Sequence, residues 1–235
     1  MNSSVKRLVA VGALAMIGAA GMASHASAFN LRVPQVVVGG ASLQTYLNSK
    51  GESINVQTDQ VNAQIWSTSA SGNSVFTLMI ELAGNAAGNA IGVYNANDAV
   101  PALFEVFPGA AAAGWHAMIS FQSSGNLVVT LFDNNSAIIG QNTYLNVDKN
   151  AFGFYLAGPG GTFYSQDGRN AGSVPQMLTY AGTGVNFGEW WFCFEDLTPA
   201  GGSDNDFEDA IVILESVVPL ATKAVTFGGV KGLYR

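Results

Sequence analysis

Cysteine and histidine are nearly absent from this chain of 235 residues, and their scarcity excludes several chemistries. One thiol, Cys193, makes neither a disulfide framework nor a multi-thiolate zinc site. Its setting, Trp190-Trp191-Phe192-Cys193-Phe194, predicts a buried inert thiol. His116 is the one histidine after residue 28, too few for a histidine zinc site. A Ser-His-Asp triad would depend on it, and no Gly-x-Ser-x-Gly turn exists to present a nucleophile. Following Trp115 at the start of an apolar run, it reads as a structural residue. Lys and Arg total nine against 16 acids, a balance that excludes phosphate-tracking nucleic-acid binding. Gly158-Pro159-Gly160-Gly161 lacks the Lys-Ser/Thr ending of a phosphate loop and reads as a plain turn. Charged residues of both signs make up 11%, too few for a coiled coil. No internal repeat, Pro-rich linker or low-complexity block interrupts the chain.

What is abundant is apolar and turn-forming. About half the residues are hydrophobic, enough to build a core, and the 28 glycines predict many turns. Residues 1–28 read as a secretory signal: Lys6 and Arg7, an apolar run from Leu8 to Met22, then Ala26-Ser27-Ala28 as cleavage pattern. The run is shorter than a membrane span requires, and no later segment reads as a span. The expected product is a secreted or cell-surface protein, with the periplasm as the alternative compartment. Without Lys6 and Arg7, seven basic residues face 16 acids, a net charge of −9.

From residue 29 to 218 one β-rich domain is expected, followed by a tail over 219–235 that carries Lys223, Lys231 and Arg235. Strands are predicted over 33–38, 62–68, 75–82, 90–94, 102–107, 115–122, 127–133, 137–145, 151–156, 161–165, 177–180, 190–194 and 210–214. Residues 84–88 form a turn-rich break, and 41–48 read as a short helix with Ser42 as cap. The run 127–133 is apolar on both faces, as in a strand held between layers. This pattern of short strands predicts an all-β fold, a jelly-roll-like β-sandwich, with a closed barrel as alternative.

Charge concentrates at one place. Between Glu189 and Glu215 lie eight of the 16 acids and no Lys or Arg. The hydrophobic run 190–194 leads into Glu195-Asp196, then a Gly-rich turn, then Asp204-Asn205-Asp206-Phe207-Glu208-Asp209, then the hydrophobic run 210–214. Crowded carboxylates raise the free energy of ionisation, and a bound cation removes that cost. Calcium takes six to eight oxygen ligands from flexible loops. Asp204, Asp206 and Asp209, with Glu195, Asp196 and Glu208, are therefore the candidate ligands, and Phe207 the anchor of the loop to the core. A solvated acidic hairpin turn is the other reading of the same spacing. An EF-hand is excluded, because loop position 6 is not glycine and the flanks read as strands.

The run Phe194-Glu195-Asp196-Leu197, followed by Gly201-Gly202-Ser203-Asp204-Asn205-Asp206-Phe207-Glu208-Asp209, resembles the ending of a secreted bacterial domain of unknown function, family 4114. Phe152 to Leu156, Gly160 to Ser165 and Asn170 extend the resemblance, which spans roughly residues 75–215. Glu208 stands where that family usually has Asn, and Gln176 where His is common. The resemblance implies a β-rich extracellular module with a calcium-binding acidic loop, and no enzymatic reaction.

Two other functions compete. A carbohydrate-binding module would stack sugar rings on exposed members of the set Trp190, Trp191, Phe192, Phe194, Phe154, Tyr155, Phe163 and Tyr164, with extracellular polysaccharide as partner. A glycosidase would need two carboxyls facing each other across a cleft, whereas these acids share one turn.

Overall fold

The computed structural model describes residues 30–69, 73–80 and 88–220. The segment 1–28 expected to be a secretory signal, most of the 84–88 break and the tail from 221 onward lie outside the described residues. The order is α1 (Ser42–Ser49), β1 (Trp66–Thr68), β2 (Asn73–Ile80), β3 (Ala90–Asn95), β4 (Leu103–Phe107), β5 (His116–Phe121), β6 (Leu127–Phe132) and β7 (Ile138–Tyr144). Then follow β8 (Phe152–Gly158), β9 (Gly161–Tyr164), β10 (Met177–Ala181), β11 (Trp190–Phe194), β12 (Ala210–Leu214) and β13 (Val217–Pro219). One antiparallel sheet runs β13-β1-β8-β3-β4, with β9 also on β8; the other runs β10-β11-β12-β2-β5-β6-β7. Neither sheet closes on itself, so the fold is an all-β sandwich and the barrel alternative falls. Among the described residues no helix is long and apolar enough to cross a membrane.

The core between the sheets follows from strand alternation. Trp66, Val93, Phe152 and Phe154 on one side meet Ile119, Val129, Trp190, Phe192 and Phe194 on the other. The sheets lock through aromatic pairs: Trp66 lies 4.9 Å from Phe192 and 5.1 Å from Trp190, edge to face, and Phe154 lies 4.5 Å from Phe192. Such pairs add about 0.5–1.5 kcal/mol each beyond their burial.

A second core covers the outer face of β10, β11 and β12. Leu178, Tyr180, Trp191, Cys193, Ile211 and Ile213 pack there against Val38, Leu43, Leu47, Ile54 and Val56. This explains why 190–194 and 210–214 are apolar at every position: both faces are buried. The strand expected to lie between layers, at 127–133, does not; Leu127 and Val129 face the core while Val128 and Phe132 are half-exposed.

The N-terminal cover also departs from expectation. Residues 33–38 form no strand; at Val36 and Val38 glutamine side chains take the place of a neighbouring chain. The Gln60 amide accepts from Val36 N at 2.8 Å and donates to Val36 O at 2.7 Å; Gln57 treats Val38 in the same way at 3.1 and 2.8 Å. The helix caps at Ala41 without a side-chain bond, and Ser42 lies inside it. Leu43 and Leu47, one turn apart, supply its buried face. The strand β13, hidden in sequence by its length and its proline, pairs with β1.

Candidate metal centre

β11 and β12 are antiparallel neighbours, with Phe194 opposite Ala210, so the acidic run is the loop of a hairpin. Strand alternation sets the first acid. Phe194 points into the core between the sheets, so Cys193 and Glu195 leave by the outer face. Glu195 is 2% exposed. The loop then folds back over it. Thr198 caps the short turn Pro199–Gly201, its hydroxyl accepting from Gly201 N at 3.1 Å, and Gly202 continues in the left-handed region at φ 98°.

The run 204–209 doubles back because two residues without the freedom of glycine adopt left-handed backbone: Asn205 at φ 58° and Phe207 at φ 56°. For a bulky residue such as Phe207 this conformation costs on the order of 1–3 kcal/mol and persists only where surroundings hold it. Its ring, 1% exposed in the outer core, is that hold, and its amide donates to Glu195 Oε2 at 3.3 Å. The anchoring role expected of Phe207 is met.

The result brings three carboxylates together. Glu195, Asp204 and Asp206 each offer an oxygen, and all three oxygens lie within 4.8 Å of one another. Glu195 is buried, Asp206 half-buried and Asp204 exposed, so the cluster has a dry floor and an open mouth. The other three predicted ligands sit beside it. Asp209 Oδ2 accepts from Asp196 N at 2.8 Å. Asp196, itself 2% exposed, accepts on Oδ2 from Asn89 Nδ2 at 2.9 Å. The Glu208 amide donates to Asp206 Oδ1 at 3.3 Å, while Glu208 Oε2 is buried with no hydrogen-bond partner.

Burial and mutual repulsion act on these acids as expected. Loss of water is the main cause lifting Glu195 to about 7; the charges of Asp209 and Asp204 add to it, against hydrogen bonds from Ser203 and the Phe207 amide. Burial likewise lifts Asp206 to about 6, with Glu208 and Asp204 as its charged neighbours. Asp209 rises to about 6 through burial and the nearby Asp196, Asp206 and Asp204. The one ion pair among the described residues, Arg32 with Asp167, involves none of these acids. Chemically the cluster is an all-oxygen, anionic set open on one side, the donor type that suits hard divalent cations.

Two neighbours of the site escape a sequence reading. Ser203 helps to hold the Glu195 pKa down, and its hydroxyl accepts from Asn205 N at 3.1 Å. Gly39, on the N-terminal cover, donates its amide to Asn205 O at 2.7 Å, and a Cβ placed there would lie 2.3 Å from Asp204 O. Only the Gly39-Gly40 pair hints at this, and such a pair equally marks the end of an extended segment.

The remaining candidates are buried or half-buried. His116 stacks on Phe132 at 4.9 Å with planes 4° apart. Cys193 is fully buried, which pushes its thiol pKa up and keeps it protonated. Of the eight aromatics considered for sugar stacking, seven are buried and Tyr164 is half-buried. No protein-family model and no curated protein matches the chain.

Proposed function

We propose that this chain is an exported, non-catalytic β-domain that binds calcium in the β11–β12 loop. The ion stabilises the fold for a structural, surface or adhesive role. The observation that carries this reading is the convergence of Glu195, Asp204 and Asp206 within 4.8 Å, with no Lys or Arg in the surrounding segment. Three anions held this close, one of them buried, repel one another until a cation joins them. Carboxylate oxygens on a loop with an open side suit calcium, which fills its shell with water and backbone carbonyls. The resemblance of the same loop to the secreted family 4114 favours the same cation and an extracellular setting.

Extracellular polysaccharide or cell-surface components are the partners this role implies. A sugar-stacking module has less support, because the aromatics it would use are buried. A glycosidase has less still, because the acids point to one shared centre rather than across a cleft.

The test is thermal melting of the mature chain in calcium and in chelator. Calcium at 100 times its dissociation constant contributes about 2.7 kcal/mol. For a domain of this size that is a rise in Tm of about 5–10 °C. Identical melting in millimolar calcium and in excess chelator rejects the reading.

A further inference from the structure

We propose that Gln176 is a ligand of the cation site, supplying a neutral amide oxygen from the strand beside Glu195. The inference rests on the calcium reading above and adds a residue to it.

Gln176 is 1% exposed, and its Oε1 is buried without a hydrogen-bond partner. A buried acceptor left without a partner destabilises the fold, so its presence calls for an occupant. Its place in the fold says which. β10 and β11 pair with Met177 opposite Phe194, and one step further Glu195 N donates to Gln176 O at 3.0 Å. Gln176 and Glu195 are therefore direct cross-strand partners. Met177 and Phe194 both face the core between the sheets, whereas Leu178 and Cys193 both face the outer core. By alternation Gln176 and Glu195 leave the outer face side by side, at a Cβ separation of about 5 Å.

That outer face is where the acidic loop returns. Glu195 is the buried member of the cluster with Asp204 and Asp206, and the register sets Gln176 directly beside it. An amide oxygen is an ordinary calcium ligand. It has a further use here. A fourth carboxylate would add a like charge beside Glu195, Asp204 and Asp206, whereas an amide raises the ligand count with no charge.

The signature is a pair of opposite signs. In Gln176→Leu the unpaired oxygen is gone, so the metal-free protein melts no lower than wild type, yet calcium affinity by titration calorimetry falls roughly tenfold or more. In Gln176→Glu the oxygen is kept and a charge added, so calcium still binds with at least wild-type affinity while the metal-free protein at pH 7.5 melts lower. Calcium chloride alone is the probe. Wild-type affinity in Gln176→Leu overturns the inference and leaves the three-carboxylate site standing. No calcium uptake by the wild type overturns both, so the two failures are distinguishable.

Discussion

Glu195 carries the conflict that defines the loop. Its position just past β11 is fixed by an apolar strand, and that strand places a carboxyl where water is scarce. At pH 7.5 most of it must ionise in a site that disfavours charge. Glu195→Gln removes the charge and keeps the shape. The expected outcome is a metal-free protein that melts a few degrees above wild type at pH 7.5 and no longer responds to calcium, read by scanning calorimetry in chelator and in calcium. A lower melting point in chelator would show that Glu195 stabilises the fold as an anion without any metal. Gly39 acts on the same cluster from the opposite wall. In Gly39→Ala the new Cβ meets Asp204 O at 2.3 Å, far inside contact distance. Relief requires moving the backbone that carries Asp204. A loss of about 1–3 kcal/mol by denaturant titration, together with weaker calcium binding, is expected. Unchanged stability would mean that the cover yields freely.

Between residue and molecule stands the N-terminal cover, which seals the outer face of β11 and β12. Glu52 fastens it to the β10–β11 turn. Its carboxylate accepts from Thr183 N and Thr183 Oγ1, both at 2.6 Å, from Asn186 Nδ2 at 2.6 Å and from Trp191 Nε1 at 2.9 Å. Burial alone would raise its pKa, but these four donors outweigh it and hold the carboxyl below its ordinary value. Glu52→Ala strands the buried indole N–H of Trp191 and is expected to cost roughly 3 kcal/mol, measured by urea denaturation. A loss under 1 kcal/mol would show that water replaces the carboxylate. The sequence made the strands of this region legible and the cover illegible, for one physical reason. The runs 190–194 and 210–214 are apolar at every position, and the predicted boundaries match β11 and β12. The pairing of Val36 and Val38 with Gln60 and Gln57 is side chain to backbone, and that has no period. A β-branched run therefore read as a strand. The site was half legible in the same sense. The spacing of Asp204 and Asp206 indicated convergence, but the turn that achieves it depends on left-handed Asn205 and Phe207, and only the asparagine is a residue type that favours this conformation. The same backbone sets Asp209 and Asp196 against each other instead of in the cluster.

For the whole molecule the two kinds of buried acid make pH an informative variable. Glu52 has its pKa lowered by folding, so its contribution is present at neutral pH and is lost only as acid protonates it in the folded state, below the ordinary carboxylate range. Glu195, Asp206 and Asp209 are the reverse case. Folding raises them to about 7, 6 and 6, so the folded state holds protons that the unfolded chain releases. Their contribution is full below about pH 4 and is lost as pH rises through 6 to 7. Metal-free protein should therefore melt highest near pH 5, above the range where Glu52 fails and below the range where the loop acids ionise. It should melt several degrees lower at pH 8. Calcium competes with those same protons, so its stabilising effect should be small at pH 5 and largest at pH 8, where it offsets the loss. Melting curves from pH 4 to 8, in chelator and in calcium, separate the cases. If the curve in chelator rises toward pH 8, the acids are not repelling one another in the folded state. The crowding that gives a cation its purpose here would then be absent.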